Sequence, residues 1–523
     1  MRSQVLEAAV ALLGVQGLQS GLLERAAESA GCPIGRARIW FSCDEDLILA
    51  LYTRLATELE ARVAELPAGT LAERFEALMQ AKLQLVAPYR DAFAALLASL
   101  LDPRSSIGVL SDGTEIVRAR VLGTFAAAVY GATDRPGDDA APALIRALYG
   151  VHLALLLVWT QDRSADSTAA QSGLDMAKGL LTLAGPFLAM PDAVEAIAKV
   201  DTVFAPLVTP APDAEATAQA ERVLRILFRH RRLAPDAGDC AADPCPQCLA
   251  LHLPRVRRYV LAGQPIHFLL PAFPAKSPSR DKVLGALPDR AEELALKYLH
   301  DVCDEIGSIY PPGARMTICS DGRVFSDLVG VTDEDVSKYG FGIEAMISEL
   351  ALSDIDTFGM DDLYPAASFD EMRTRLDALY SEPLEVLQER VHAFEHHRRL
   401  FNGIERFLWE ERVPVSPEVS KTQERKQNKE RAYRVVQRSE AWGRLVAECF
   451  PAALRLSIHP QAPHAEKIGI LLGDAEDTWI TPWHGVAVQI GERWTLMKRA
   501  DAVALGATLV ERDGIPWHYR APE

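Results

Sequence analysis

Near Gly263 the hydrophobic period of this 523-residue chain changes, and that change constrains the architecture more than any other feature. From Val5 to about Leu188, alanine and leucine recur at helical spacing and no segment alternates as a strand would. Beyond Gly263, short apolar runs stand apart: Pro265–Leu270, Arg315–Cys319, Ile355–Phe358, Ala453–Ile458 and Ile468–Leu472. Helical stretches separate the first four, over Asp289–Ile306, over Gly342–Leu352 and at several places between Glu371 and Cys449. Strands alternating with helices predict a mainly parallel, Rossmann-like sheet, with an edge hairpin at Val486–Ile490 and Trp494–Met497. The Pro- and Ala-rich stretch "FAPLVTPAPDAEATAQ", with one helix over Ala214–His230, reads as linker. The expectation is a multidomain chain: an all-α domain over 1–190, a linker over 191–235 and an α/β domain over 236–523.

A formal net charge of −17 argues against wrapping a polyanion over the whole surface, while leaving room for a local phosphate site. The most apolar stretch, Leu148–Val158, is interrupted by His152 and is too short for a bilayer, so no membrane partner is expected. Glu7 stands where a secretory leader would be basic, which predicts a cytoplasmic protein with reduced cysteines. Cys32, Cys43, Cys303, Cys319 and Cys449 are scattered singly in apolar surroundings. Cys240, Cys245 and Cys248 cluster near His252, a spacing that suits structural zinc; the second pair that would complete a strong motif is missing, and packed reduced thiols are the competing reading.

The opening segment, Ser3–Leu55, shows a helix, a break at Gly14 and Gly17, a helix over Leu22–Gly31, a turn at Cys32–Pro33 and a short helix from Gly35. That is a helix-turn-helix. The stretch "VLEAAVALLGVQGLQSGLLERAAESAGCPIGRARIWFSCDEDLILALY" resembles the DNA-binding module of TetR-family repressors, over 1–55, and residues 56–190 resemble that family's dimerising helices. Six arginines face eight carboxylates in residues 1–64, and only Arg36 and Arg38 lie near the recognition helix. Phosphate neutralisation supplies most DNA affinity, so the expected role is a helical scaffold that forms a homodimer, without nucleic acid.

In a parallel sheet the ligand lies outside the carboxyl ends of the strands. Polar clusters fall there: Lys276, Ser277, Ser279 and Arg280 after the first strand; Ser320, Asp321, Arg323, Ser326 and Asp327 after the second; Ser457, His459 and His464 after the fourth. The phrases "LPAFPAKSPSRDKVLGALPDRAEELAL", "YPPGARMTICSDGRVFSDLVGV", "RVVQRSEAWGRLVAECFPAALRLSIHP" and "WITPWHGVAVQ" resemble signature segments of the isocyanide synthase family, also named for pyoverdine and dityrosine biosynthesis. The resemblance covers roughly 236–500. It implies that the α-amine of tyrosine or tryptophan condenses with ribulose 5-phosphate, whose ketone carbon becomes the isocyanide carbon; the scheme requires no metal or redox cofactor.

Those demands select residues. Lys276 and Arg323 are the leading phosphate candidates, joined by Ser277, Ser279, Arg280 and the backbone at Gly322; a solvated loop lysine is the plainer reading of Lys276. His459, His484 and Asp321 are candidates for proton transfer. Arg455 or Arg438 is placed on the amino-acid carboxylate, and Phe325, Trp442 and Trp483 around its ring, although most such aromatics are core. The basic run Lys421–Arg438 reads as a solvated helix face or as a positive field that draws in the sugar phosphate. Two other readings compete: a transcriptional regulator whose C-terminal half senses a metabolite, and a different sugar-phosphate enzyme such as an isomerase or aldolase.

Overall fold

The computed structural model describes residues 2–102, 104–137, 140–164, 167–188, 190–208, 213–234, 240, 245–411, 420–473 and 480–522. The chain divides into two units, Met1–Thr217 and Ala218–Glu523.

The first unit is helical throughout, as the Ala/Leu periodicity predicts. Helices over Arg2–Gln16, Leu22–Ser29, Ile34–Trp40 and Asp44–Arg62 reproduce the expected order. Gly14 does not break the first helix, which runs on to a left-handed Gly17. The Asp44 carboxylate accepts from the amides of Gly21 and Leu23, at 2.9 and 2.7 Å, and so caps the start of the second helix. Arg38 is paired with Glu24 at 2.9 Å.

Two expectations need correction here. The helix Ala141–Gln161, with mean hydropathy 1.8, is long and apolar enough to cross a membrane by length and composition, so the shorter run Leu148–Val158 understated it. Its buried side chains, among them Leu144, Leu148, His152 and Trp159, pack inside the helical unit. Residues given to the linker are also helical: Pro191–Val208 forms a helix held by Arg146, whose guanidinium grips Asp201 through two 2.7 Å bonds. Proline does not exclude this helix, because Pro191 sits at its start, where a missing N–H costs little, and Pro206 falls only in its last turn. The next helix, Ala214–Arg229, buries Val223, Leu224 and Leu227 in the α/β core, and the two compact units divide at Thr217.

The second unit is built on five parallel strands, β1 (Ile266–Leu270), β2 (Ala314–Cys319), β3 (Ile355–Phe358), β4 (Leu454–Ser457) and β5 (Ile468–Gly469), in the order β3-β2-β1-β4-β5. Ile266, Phe268, Leu270, Met316, Ile318, Leu454 and Leu456 alternate onto one face, where the main core lies. On the other face Phe358 stacks on Trp442 of the helix Lys421–Cys449, and Phe450 meets the edges of Phe358 and His267. The crossovers that make the sheet wholly parallel also cover both of its faces. The helix Arg290–Ile309 starts on a capping box, with Asp289 accepting from the Ala291 amide and Glu292 from the Asp289 amide, both at 2.9 Å.

The expected edge hairpin is not an edge of this sheet. Strands β6 (Val486–Ile490) and β7 (Arg493–Met497) join β8 (Thr508–Arg512) and β9 (Ile515–Arg520) in a separate four-stranded sheet, ordered β7-β6-β9-β8. The chain winds from β1 to β2 to β3 on one side and returns to place β4 on the other side of β1. The switch point is therefore the crevice above the carboxyl ends of β1 and β4.

Candidate active site

The loop after β1 turns its charged group inward. Lys276 Nζ lies 2.8 Å from Asp289 Oδ2 and 2.8 Å from Glu292 Oε2, and donates to the Pro482 carbonyl at 3.1 Å, with its side chain fully buried. The capping carboxylates of one helix thus hold the ammonium, and Tyr339 donates to Glu292 at 3.1 Å. Burial pushes Asp289 up to about 7 despite the attraction of Lys276. The phosphate role expected for Lys276 does not fit, because the ammonium is already compensated by two carboxylates and shielded from solvent.

Other expected phosphate groups are similarly engaged. Arg323 pairs with Asp361 at 3.3 Å and covers the ring of Phe369. It borders a cavity of about 80 Å³ that it shares with Phe273, Ser320, Glu344, Asp361 and Asp362, a setting hostile to phosphate. Gly322 is glycine for packing: a Cβ there would lie 2.0 Å from the Pro274 carbonyl, so the loops after β1 and β2 could not meet. Ser277 is buried and donates to Glu411, while accepting from the Ser279 amide at 3.1 Å. Arg280 is exposed.

Around the switch point a polar cluster forms that the sequence reading missed in part. Glu411, fully buried, accepts from Ser277 and, at 2.6 Å, from Lys282. His484 Nε2 lies 3.9 Å from the same carboxylate, and its Nδ1 lies 2.9 Å from the Thr481 hydroxyl. Burial, followed by the charges of Lys282 and Lys276, pushes His484 down to about 3, so it is neutral at physiological pH. Trp483 beside it is core, tilted on Phe273 with centroids 5.2 Å apart, and Ser320 donates to the Phe273 carbonyl at 3.1 Å. Lys282 stood six positions beyond Lys276 in a loop already singled out; Glu411 gave no signal, being an ordinary glutamate at a helix end.

At the end of β2, Asp321 is half-buried and has no ion pair among the described residues. Burial pushes its carboxyl up to about 7, offset only by its own backbone amide. A carboxyl poised near neutrality is suited to accept and return protons.

The two arginines expected at the amino-acid carboxylate part company. Arg438 is committed, gripping both oxygens of Asp327 at 2.9 Å and reaching Asp377 at 3.3 Å, which ties the long helix to its neighbours. Arg455 donates to the Gly443 carbonyl at 3.3 Å and has no carboxylate in ion-pair range among the described residues. Lys467 is likewise without an ion pair among them, and burial followed by the charge of Arg455 lowers its pKa. His459 keeps contact with solvent, yet the protein around it and the charges of Arg232 and Lys467 hold its pKa below the ordinary value. Arg455 lies within β4, Lys467 stands at the amino end of β5, and His459 follows the carboxyl end of β4; the charges of Glu466 and Glu440 offset part of this positive charge. Trp442 is buried core and Phe325 packs against a satellite cluster of the long helix, so neither forms the expected aromatic slot.

The thiols of Cys240, Cys245 and Cys248 do gather, all within 4.8 Å of one another. His252 does not complete the set: it is buried, edge-on to Phe228, with a hydrogen bond to the backbone at Ala465. The imidazole touching the cluster is His464, with Nε2 3.1 Å from Cys245 Sγ.

Comparison with known proteins places this sheet and its loops. The model of the pyoverdine/dityrosine biosynthesis protein family matches residues 256–510, outside the helical unit. The chain is 49% identical to an L-tryptophan isonitrile synthase from Fischerella ambigua over 300 residues, 57% of this chain and 91% of that protein. It is 44% identical to an L-tyrosine isonitrile synthase from Pseudomonas aeruginosa, across 58% of this chain and 94% of the other. The crystal structure of the PvcA protein from Pseudomonas aeruginosa superposes with a TM-score of 0.55 at 43% identity, covering 58% of this chain and all of that one.

Two outcomes follow from the charge placement. Lys276→Met leaves two buried carboxylates uncompensated and should destabilise the fold by about 3–5 kcal/mol, read as a lower urea midpoint; an unchanged midpoint with weaker substrate binding would return Lys276 to the substrate. Asp321 has a raised folded pKa, so its ionisation costs stability progressively from about pH 4, the unfolded value, to about pH 7. Asp321→Asn should therefore stabilise the protein at pH 8 and leave it unchanged below pH 4, while removing an acid limb near pH 7 from kcat/KM.

Proposed function

The chain belongs to the pyoverdine/dityrosine biosynthesis protein family and is an enzyme of the isonitrile synthase type; we propose that it converts the α-amine of tryptophan or tyrosine to an isonitrile, with ribulose 5-phosphate as carbon donor. The names of the two relatives above support the amino-acid class. An isonitrile carbon bears nothing but nitrogen, so the donor's ketone carbon must lose its oxygen and both carbon neighbours. The amine must also lose its protons. Such a sequence needs repeated proton transfer beside a bound phosphate, and the titratable groups Asp321, His459 and His484 support the first demand.

The observation that carries the reading is a pair of neighbouring cations without ion-pair partners among the described residues, Arg455 and Lys467, of which Lys467 acts on His459. Arg455 and Lys467 seat the phosphate, whose charge offsets a repulsion that the protein otherwise bears. Asp321 takes the ammonium proton, freeing the amine to attack the ketone. Neutral His484, oriented by Thr481, holds a sugar hydroxyl. His459 serves the later transfers from its solvent-facing position.

Incubation with tryptophan or tyrosine and ribulose 5-phosphate should yield an isonitrile, identified by mass and by its infrared stretch. Sugar rearrangement without loss of amino acid would favour a different sugar-phosphate enzyme. Arg455→Ala and Lys467→Ala should each raise KM for the sugar phosphate about 10- to 100-fold, the worth of a charged hydrogen bond, with KM for the amino acid little changed. The opposite pattern would assign Arg455 to the amino-acid carboxylate.

For the helical unit we propose pairing of two copies. Met176, Leu180, Leu183 and Phe187 recur at helical spacing and are 65, 60, 71 and 56% exposed, an apolar stripe of the kind that marks an interface. Sedimentation equilibrium should find a dimer, and Leu180→Glu with Leu183→Glu should give monomers; a monomeric wild-type chain would end the proposal.

A further inference from the structure

Three cysteine thiols meet at the start of the helix Pro246–Ala262. Cys240 Sγ lies 3.5 Å from Cys248 Sγ and 3.7 Å from Cys245 Sγ. A tetrahedron with sulfur about 2.3 Å from its centre has edges of about 3.8 Å, so these separations are those of ligands around one ion. His464 adds an imidazole, with Nε2 3.1 Å from Cys245 Sγ, and it reaches this place from 216 residues beyond Cys248. Its backbone is left-handed, with φ of 63°, a conformation uncommon outside glycine.

Hydrogen-bond donors converge on the three sulfurs. The Cys248 amide donates to Cys245 Sγ and the His464 amide to Cys248 Sγ, both at 3.4 Å. The Arg231 guanidinium donates to Cys240 Sγ at 3.6 Å and to the Cys240 carbonyl at 2.5 Å. Amide donors aimed at sulfur are the outer partners that metal thiolates use. Simple hydrophobic packing of thiols calls for none of them.

We propose that Cys240, Cys245, Cys248 and His464 bind one zinc ion, which clamps the loop after β4 against the segment that precedes the sheet. Soft thiolates with one imidazole are a donor set that zinc accepts in structural sites, and binding releases the thiol protons. The clamp has a visible object. Arg232 and Ala234 donate backbone bonds to Gly469 and Gln461 at 2.8 and 2.9 Å, and the Arg232 side chain donates to the Ile458 carbonyl at 3.0 Å. Gly469 lets that approach occur, since a Cβ there would lie 2.1 Å from the Arg232 carbonyl. His459 lies within this embraced loop, five positions before His464. The ion therefore positions the loop that carries His459 without taking part in the chemistry.

The full-length protein, purified without chelators in zinc-supplemented medium, should contain about one zinc per chain by elemental analysis. X-ray absorption of the wild-type protein should read three sulfurs at about 2.3 Å and one nitrogen at about 2.0–2.1 Å. Cys248→Ser and His464→Ala should each lower zinc content at least tenfold after mild chelation, while His252→Ala retains it. Wild-type protein that holds no stoichiometric zinc and gives no thiolate absorption with added cobalt would overturn the proposal, as would a coordination shell without three sulfurs. These readings do not depend on turnover, so they stand apart from the proposed reaction.

Discussion

The buried ammonium of Lys276 fastens the α/β unit at the place where its chemistry is assembled. It joins the loop after β1 to the capping carboxylates Asp289 and Glu292, at 2.8 Å each, and to the carbonyl of Pro482 at 3.1 Å. The Ser277 amide adds a 2.9 Å bond to the Trp483 carbonyl. One cation thus fixes three segments distant in sequence, including the one that carries His484. Such a group is costly to bury and still costlier to remove, since its partners would remain charged in a dry interior. The lysine that sequence alone marks as a ligand is therefore the anchor of the site's walls.

With Lys276, Lys282, Arg323 and Arg438 each paired, attraction for an anion falls to Arg455 and Lys467. Both belong to the β4–β5 side of the sheet, Arg455 within β4 and Lys467 at the amino end of β5, whereas Asp321 follows the carboxyl end of β2. On the proposed reading, the β4–β5 side of the sheet is cationic and the end of β2 bears a carboxyl near neutrality. A phosphate on one and an amine on the other would bring the ketone carbon between them. The exposed basic residues Lys421, Arg425, Lys426 and Lys429 of the long helix remain a solvated face.

Much of the fold was legible in the sequence, because period-two and helical patterns report burial directly. The five parallel strands lie within a residue or two of their expected positions, except that β5 ends at Gly469. The second sheet was only half seen. Its missing signal was present as Asp513-Gly514, two residues at φ of 54° and 77° between β8 and β9, the turn chemistry that closes a tight hairpin. The site was less legible because charge partners are set in space. Nothing in "PAKSPSR" says that Lys276 turns inward, nor that Glu411 comes to meet Ser277 and Lys282. Likewise His252 was the nearest histidine to the cysteines in sequence, whereas His464 is the one in contact with them.

The central claim is that the β4–β5 side of the crevice receives the sugar phosphate while Lys276 stays committed to its carboxylates. A crystal structure with ribulose 5-phosphate bound tests this most directly. The phosphate oxygens should lie within hydrogen-bonding distance of Arg455 and Lys467, with the Lys276 ion pairs intact. A phosphate seated on Arg323, or a Lys276 turned out to meet it, would contradict the account.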